Sequence, residues 1–252
     1  MKTKALLATF FLLPLLSFGW GAEGHKMVAT IAQKNLNTGV EAKVKQYLGT
    51  MTFQSAATWM DDIRDDHSLD YMKPWHFVNI DSGQTYEKNP KGDIVHILDS
   101  IITELKEYKT MKQADVARDL KILFHLCGDI TQPLHVGYGK DKGGNSVDVF
   151  YLKNKSNLHK VWDSEIIKTK KITATVCLKT ASTWSADKKK KIQTIDPMAW
   201  MTDSRTYLDK AYEFQNGVIT QAYINANAVI IQEQIAKGGL RLAAVLNDVF
   251  RE

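Results

Sequence analysis

The sequence predicts an all-α protein: a single, mainly helical domain with one short β-hairpin. Apolar residues recur at spacings of three and four over most of the chain, which is typical of amphipathic helices. No internal repeat, low-complexity linker or change of composition divides the 252 residues into separate units. Hydrophobic residues make up 44% and charged residues 24% of the chain, and these ordinary globular values exclude collagen-like and disordered proteins.

The predicted helices of the first half are separated by glycine, proline or polar residues, which end helices. They cover residues 25–36, 40–48, 53–64, 93–108 and 114–130. In the fourth of these helices, an apolar stripe begins at Ile94 and continues at helical spacing to Leu105. Such a stripe predicts contact with the protein core rather than with a cofactor.

The second half contains the only predicted strand. Residues 146–152 alternate apolar and polar side chains after Gly143-Gly144-Asn145, which predicts a short strand or hairpin arm. Helical spacing resumes at Asn157 and continues to the end of the chain. Because glycine disfavours a helix interior, we expect Gly238-Gly239 to interrupt the last long helix.

The first 19 residues have the pattern of an export signal. A basic start at Lys2 and Lys4 precedes an apolar run of about a dozen residues, Ala5 to Leu16, and then the small residues Ser17 and Gly19. The alternative is an uncleaved membrane anchor, but the run is too short to span a bilayer of about 30 Å. We therefore predict a signal peptide at residues 1–19, its removal before Trp20, and a secreted or periplasmic product.

The charge of the remaining protein is too small to hold nucleic acid by bulk attraction. The whole chain carries +5, and residues 1–19 contain two lysines and no acid, so residues 20–252 carry +3. The one strong charge run, Lys188 to Lys191, is expected to be a solvated loop. Cys127 and Cys177 permit either one disulfide or two buried thiols, and the sequence does not decide between them.

Two histidine–aspartate pairs indicate a metal site. His125 and Asp129 are four residues apart, as are His159 and Asp163, so each pair projects from one helix face. Imidazole and carboxylate are zinc ligands. One such pair is more often a surface hydrogen bond, but two pairs inside apolar helices favour metal binding. Pro133 should break the helix after Asp129 and allow His135 to join the second pair.

Further candidate ligands lie upstream. His76 follows Pro74 in an extended apolar segment, and Asp61 and Asp62 lie beside aromatic and apolar neighbours. Taken alone, His76 is more often a core histidine, and the two aspartates are more often solvated charges at a helix end. Spacing does not decide which of the two aspartates points inward.

These residues occur in an order that resembles a known family. The chain is similar to the zinc-dependent single-strand nucleases of the mung-bean-nuclease type, also called class I nucleases or 3′-nucleotidases, and more distantly to bacterial zinc phospholipases C. The matching motifs, which run from residue 20 to residue 243, are Trp20-Gly21-x-x-Gly24-His25, Trp59-x-Asp61-x-Ile63-Arg64, Trp75-His76-Phe77, His125-x3-Asp129-Ile130-x-Gln132-Pro133-Leu134-His135, Gly143-Gly144-Asn145, Asn157-Leu158-His159-x3-Asp163 and Gly239-x-Arg241-Leu242-Ala243.

The resemblance implies that residues 20–252 form one nuclease domain that binds three Zn²⁺ ions. The implied ligands are, for the first zinc, Asp61, His76, His125 and Asp129; for the second, His25, a shared oxygen of Asp129, and the α-amine and carbonyl oxygen of Trp20; and for the third, His135, His159 and Asp163. The family pattern selects Asp61 over Asp62. His67 and His96 match no position in it and are expected on the surface and on a helix face.

The resemblance also implies the reaction and the residues that bind substrate. Zinc lowers the pKa of bound water to roughly 7, and Asp61 and Asp129 would hold the attacking hydroxide. Cleavage of P–O3′ bonds in single-stranded RNA and DNA would leave 5′-phosphates, and 3′-nucleotides would lose phosphate. Arg64 and Asn145 fall near the phosphate in the family, although a surface arginine and a turn asparagine are the alternatives.

Base recognition is expected from two neighbouring residues. Phe77 follows a ligand directly and would stack on an unpaired base. Asn79 would touch a base edge, but many family members have aspartate there, so the base preference is open.

Two other functions compete with the nuclease. A zinc phospholipase C would act on phospholipid head groups through the same metals, but those enzymes carry glutamate where Asp163 stands. A non-catalytic zinc protein would need the ligands but not Arg64 or Asn145. We expect a nuclease that is monomeric and has no stable membrane association.

Overall fold

The computed structural model describes residues 20–251. The predicted signal peptide, residues 1–19, lies outside these described residues. The α-helices of the described part are α1 (Ala22–Gln33), α2 (Val40–Leu48), α3 (Phe53–Asp62), α4 (Ile94–Leu105), α5 (Gln113–Asp129), α6 (Leu158–Lys160), α7 (Ile166–Thr169), α8 (Ala174–Ser182), α9 (Ala186–Ile192), α10 (Pro197–Arg205), α11 (Leu208–Ala211) and α12 (Gln221–Val249). The predicted mainly helical fold is confirmed.

Shorter helical turns connect several of these helices. Three 3₁₀ segments cover His67–His76, Pro133–Val136 and Gly139–Asp141. A π-helical turn, Val161–Glu165, joins α6 to α7 in one continuous helical segment. Such turns are frequent at functional sites, and this one carries Asp163.

Polar side chains determine where several helices begin. The side chain of Thr52 accepts a hydrogen bond from the Ser55 backbone N–H at the start of α3. At the start of α4, Asp93 accepts from the N–H groups of Val95 and His96. These contacts satisfy backbone donors that have no partner inside the helix.

The core lies between α12 and the helices that carry the predicted ligands. The 29-residue helix α12 packs against α1, α5 and α8, while α3 packs against α1 and α5. The expected interruption at Gly238-Gly239 is wrong, because α12 continues through both glycines. The reason is close packing: a Cβ on Gly239 would lie 2.4 Å from Ile31 of α1.

A small sheet lies beside the helices. The predicted hairpin is present as β1 (Asp148–Tyr151) and β2 (Asn154–Asn157), which are antiparallel with Tyr151 opposite Asn154. A two-residue strand, β3 (Val218–Ile219), adds to β1 in parallel and was not predicted. The hairpin links the glycine turn at residues 143–144 to the helical segment that carries His159.

Three further expectations can be compared with the described residues. Cys127 and Cys177 are both buried and unpaired, so the alternative of two thiols is the observed one. The lysine run belongs to helix α9 rather than to a loop. Within residues 20–251, no helix combines the length and the apolar character needed to cross a membrane.

Candidate metal centre and substrate cleft

Segments that are distant in sequence bring the predicted ligands together. Eight side chains converge: His25 of α1, Asp61 of α3, His76 at the end of the first 3₁₀ segment, His125 and Asp129 of α5, His135 of the second 3₁₀ segment, and His159 and Asp163 of the segment from α6 to α7. They form two neighbouring sets. We call the set of His25, Asp61, His76, His125 and Asp129 the α5 cluster, and the set of His135, His159 and Asp163 the His159 cluster.

Asp129 is the centre of the α5 cluster and is fully buried. Its Oδ2 atom lies 3.0 Å from Nδ1 of His76 and 3.1 Å from Nε2 of His125. Its Oδ1 atom lies 3.2 Å from Nε2 of His25 and 3.5 Å from Nδ1 of His135. One carboxylate therefore contacts four histidines and links the two clusters.

The structure shows which of the two neighbouring aspartates, Asp61 or Asp62, points toward the histidines. Spacing in the sequence alone did not distinguish them. Oδ1 of Asp61 lies 3.8 Å from Nε2 of His125 and 3.2 Å from Nη2 of Arg64. The carboxylate of Asp62 instead accepts a hydrogen bond of 2.9 Å from the hydroxyl of Thr58 on the same helix. Asp61 therefore belongs to the α5 cluster and Asp62 does not.

The His159 cluster is equally compact. Nε2 of His159 lies 3.1 Å from Nε2 of His135 and 3.3 Å from Oδ2 of Asp163. The other carboxylate oxygen of Asp163 accepts a hydrogen bond of 2.7 Å from the amide of Gln132. All three side chains of the cluster are buried. No role was predicted for Gln132, although its place in the motif between Asp129 and His135 was a usable signal.

Backbone carbonyl oxygens orient three of the imidazole rings. Nδ1 of His125 donates to Ala57, Nδ1 of His135 donates to the carbonyl of His76, and Nδ1 of His159 donates to Gly143, at 2.7, 2.7 and 2.5 Å. A ring that donates from Nδ1 directs the lone pair of Nε2 into the cluster. This arrangement is typical of histidines that bind metals.

Two glycines create space for these contacts. A Cβ on Gly128 would lie 2.6 Å from Nδ1 of His25, so only glycine lets α1 approach α5 at this point. Gly143 has a φ of +60°, and its Cβ would lie 2.2 Å from the carbonyl oxygen of Leu134. Side chains other than hydrogen are strained in that conformation, and the turn aims the Gly143 carbonyl at His159.

Trp20 is fully buried, and its contacts lie close in sequence to cluster residues. Its indole Nε1 donates a hydrogen bond of 3.0 Å to the hydroxyl of Thr131, two residues after Asp129. The next backbone N–H, of Gly21, donates to the carbonyl oxygen of Asp163 at 2.9 Å. A Cβ on Gly24 would lie 2.5 Å from Cβ of Trp20, so this glycine permits the chain to fold back here. The ligand role of the Trp20 amine stays a prediction.

Burial and charge set the protonation of the clusters. Burial lowers the pKa of His76 to about 4, and burial together with His135 lowers the pKa of His159 to about 3. Burial also disfavours the charged form of His125, but Asp129 and Asp61 outweigh it and raise the pKa to about 9. Burial opposes the charge on Asp129 as well, but His125 and His135 hold the pKa of this carboxyl well below its usual range.

The donor set fits zinc. Both ring nitrogens of His25, Oδ1 of Asp61 and Oδ1 of Asp129 are buried and form no hydrogen bond within the described residues, which is unusual for polar atoms. Two ligands of a tetrahedral zinc lie about 3.3 Å apart, given bonds of about 2.0–2.1 Å. The distances between donor atoms given above, 3.0 to 3.8 Å, match this spacing. Neutral imidazole and carboxylate are the ligand types that zinc takes.

A cleft of about 500 Å³ opens beside the clusters. It is lined by Arg64, Lys73, His76, Phe77, Asn79, Leu134, His135, Lys142, Asn145 and His159. The three predicted substrate-binding residues, Asn145, Phe77 and Asn79, line it together with Arg64, which was predicted to be catalytic. The Phe77 side chain is 39% exposed. The amide of Asn145 also donates to the Lys142 carbonyl at 2.9 Å. Asn145 therefore also stabilises a turn, which was the alternative role predicted for it. Lys73 and Lys142 were not predicted, because spacing did not relate them to any ligand.

One arginine that the sequence did not indicate supports the cleft wall. The backbone N–H of Val78 donates to the carbonyl of His135, and that of Ile80 donates to Gly137, at 2.9 and 3.0 Å. Arg205 of α10 donates to the carbonyl oxygens of Val136 and Ile80 and thereby ties the same two segments together.

The two histidines outside the pattern lie outside both clusters. His67 is 85% exposed and lies near Asp70. His96 is on α4 and is half-buried. Neither belongs to the ligand groups found among the described residues.

Sequence comparisons show which known proteins this chain is similar to. A family model described as S1/P1 Nuclease matches residues 20–251. Endonuclease 2 of Arabidopsis thaliana is 29% identical over 265 residues, which cover 92% of this chain and 91% of that protein. Nuclease S1 of Aspergillus oryzae is 30% identical, covering 92% of each chain. Nuclease P1 of Penicillium citrinum is 25% identical, covering 91% of this chain and 97% of its own.

Proposed function

The chain belongs to the S1/P1 nuclease family, and from this premise we propose that it is a zinc-dependent endonuclease and 3′-nucleotidase. It hydrolyses the P–O3′ bonds of single-stranded RNA and DNA and leaves 5′-phosphate ends. On 3′-nucleotides the same reaction releases phosphate. Relatives named as endonucleases and nucleases, similar over nearly the whole chain, support this assignment.

The observation that carries the proposal is the position of Asp129. Its two carboxylate oxygens lie within 3.5 Å of four different histidines, and no part of the side chain is exposed. A buried carboxylate with this many imidazole neighbours is suited to bridge two cations. A structural ion pair would need only one of these contacts.

We assign three Zn²⁺ ions to the clusters. The ligands are Asp61, His76, His125 and Asp129 for the first ion; His25, Asp129 and the backbone amine and carbonyl of Trp20 for the second; and His135, His159 and Asp163 for the third. Zinc, when bound, supplies Lewis acidity and water that is acidic enough to ionise near neutral pH.

The chain's own residues position the reactants. Oδ1 of Asp61 lies 3.2 Å from Arg64 but forms no hydrogen bond within the described residues, so it can accept one from the attacking water and direct that oxygen at phosphorus. The new bond joins the water oxygen to phosphorus, the P–O3′ bond breaks, and a proton from water ends on the 3′ oxygen. No side-chain nucleophile is required, so no covalent enzyme intermediate forms.

The cleft residues select an unpaired strand. Arg64 can place two N–H groups on phosphate oxygens, and the second amide N–H of Asn145 can add one more. The exposed ring of Phe77 can stack on a base only when that base is not paired. Asn79 lies two residues after Phe77 in the chain, also lines the cleft, and can contact the base edge.

Processing and location follow from the N-terminal residues. Removal of residues 1–19 would convert the Trp20 amide into a free amine, which is a far better zinc ligand. The product is a secreted or periplasmic monomer without stable membrane association, and its substrates are single-stranded nucleic acids and 3′-nucleotides.

One experiment tests this proposal against its nearest rival. Protein that begins at Trp20 is analysed for metal and then assayed on single-stranded RNA, single-stranded DNA and phosphatidylcholine, before and after chelation. We expect three zincs per chain, cleavage of both nucleic acids to 5′-phosphate products, and loss of activity with chelator that zinc restores. Lipid turnover without strand cleavage would assign the protein as a phospholipase C. Bound zinc with neither activity would assign it as a non-catalytic zinc protein.

A further inference from the structure

The charged side chains that line the cleft are all cationic apart from the histidines. Arg64, Lys73 and Lys142 line it, and no aspartate or glutamate is among its lining residues. Arg64 is ion-paired with Asp61 at 3.2 Å, so it lies at the end of the cleft next to the α5 cluster. In the proposed reaction Arg64 binds the one phosphate at the metals. Neither of the two lysines has a role in that reaction.

Lys73 lies on the same side of the cleft as His76. Both belong to the 3₁₀ segment His67–His76, and residues three apart in a 3₁₀ helix share one face. The Lys73 ammonium contacts Asp70 at 2.6 Å, but both side chains are about half exposed. Such surface pairs are weak, so the ammonium can exchange its carboxylate partner for a phosphate.

Lys142 lines the cleft from a different segment, next to the turn that contacts His159. It directly precedes Gly143, whose carbonyl oxygen accepts the hydrogen bond from Nδ1 of His159. Its backbone is left-handed, with φ +57° and ψ +46°, which is uncommon for a residue other than glycine. The side-chain amide of Asn145 donates to its carbonyl oxygen and stabilises this turn. The Lys142 ammonium has no ion pair or hydrogen bond among residues 20–251.

We propose that Lys73 and Lys142 form a phosphate-binding subsite that recognises the phosphates on either side of the cleaved one. This inference rests on the proposed nuclease function and deepens it. The two lysines line the same cleft as His76, His135 and His159 but come from separate segments, so a strand that follows the cleft past the clusters can meet both of them. A 3′-mononucleotide has no neighbouring phosphates and gains nothing from the pair. The subsite therefore favours a polynucleotide over a 3′-mononucleotide as the substrate.

The test compares two substrates with charge-neutral variants. Lys73→Gln and Lys142→Gln, singly and together, are assayed on a short oligothymidylate and on a 3′-mononucleotide. We expect each single variant to raise KM for the oligonucleotide about three- to tenfold at low salt with little change in kcat. Each should also reduce the slope of log KM against log salt by about 0.7, the value for one lost single-strand phosphate contact. Mononucleotide kinetics should stay within about twofold of wild type.

Matched variants separate a subsite from a change in structure or overall charge. Lys179→Gln removes an exposed lysine of α8 that does not line the cleft, and its kinetics should equal wild type. Lys73→Arg and Lys142→Arg keep the charge and should restore the oligonucleotide KM. Thermal unfolding checks that all variants are folded.

The outcomes distinguish this inference from the function on which it rests. If wild type cleaves the strand and the glutamine variants retain its KM and salt slope, the subsite is wrong and the nuclease stands. An equal rise in KM for the oligonucleotide and the mononucleotide would also overturn the subsite, since the lysines would then act on the reacting phosphate. If wild type cleaves neither substrate, both proposals are wrong.

Discussion

The amide of Gln132 donates a hydrogen bond of 2.7 Å to Oδ1 of Asp163, although 31 residues separate the two in sequence. Gln132 is itself held in place, because its carbonyl oxygen accepts from the backbone N–H of Leu134 at 2.6 Å. Asp163 therefore presents its other oxygen, Oδ2, to His159 at 3.3 Å. Gln132, which is not a proposed ligand, thus orients Asp163, which is one.

This contact predicts a loss of metal affinity in Gln132→Leu. Leucine keeps most of the volume but removes the hydrogen bond from Gln132 to Oδ1 of Asp163. Hydrogen bonds that orient a metal ligand typically contribute about 10- to 100-fold to metal affinity. We expect one of three zincs to bind about 10- to 100-fold more weakly in competition with a chromophoric chelator. Gln193→Leu, at the end of α9, is the control. Equal zinc affinity in both variants would show that Gln132 does not orient Asp163.

The position of Asp129 predicts that one substitution removes two metals. Asp129→Asn keeps the shape of the side chain but takes away the charge that two cations would share, so zinc per chain should fall from three to one, with loss of strand cleavage. Asp119 offers a matched control, because it is also buried on α5 but pairs with Arg118 at 2.9 Å. Asp119→Asn should retain three zincs.

Metal analysis after extensive dialysis measures the difference between the two aspartate variants. Three zincs and near-normal turnover in Asp129→Asn would contradict the bridging role. Loss of zinc in both variants would mean that α5 had been disrupted as a whole.

Side-chain pairs within one element could be predicted from the sequence. His125 and Asp129 occupy the same face of α5 because their spacing equals about one helical turn. His159 and Asp163 meet similarly at 3.3 Å, although a π turn carries Asp163. The choice of Asp61 over Asp62 needed the family pattern, because both lie at the end of α3 and only the direction of approach of α5 distinguishes them.

Contacts between distant segments could not be predicted in this way. Gln132, Lys73 and Lys142 acquire their positions from chain segments that meet only in the folded protein. The glycines of α12 are a second example of a contact that local sequence does not predict. Gly238-Gly239 were expected to interrupt the last long helix because of local propensity, yet the contact of Gly239 with Ile31 of α1 requires glycine inside a continuous helix.

The pKa shifts predict that metal-free protein is most stable near pH 6.5. The pKa values of His76 and His159, about 4 and about 3, lie below the ordinary value of 6.5. The unfolded chain therefore binds more protons, and stability falls as pH drops below 6.5, by up to about 1.4 kcal/mol per pH unit for each group. The pKa of His125, about 9, lies above 6.5, so its stabilisation is lost as pH rises from 6.5 to 9.

Urea unfolding of chelated protein between about pH 4.5 and 8.5 measures this dependence. His159→Asn should reduce the acid-side slope by about one proton, because one of the titrating groups is gone. An acid-side slope that is the same in His159→Asn and in wild type would contradict the assignment.

The contacts of Trp20 predict that its free amine is a ligand. The indole is fixed by Thr131 and the following N–H by Asp163, so the backbone of Trp20 is held beside both clusters. One additional alanine before Trp20 would turn the amine into an amide, which binds zinc poorly, while both contacts could persist. We expect the extended protein to bind two zincs rather than three and to lose most strand cleavage. Removing the alanine with an aminopeptidase should restore both in the same sample, whereas full zinc content and activity before that treatment would reject the ligand role.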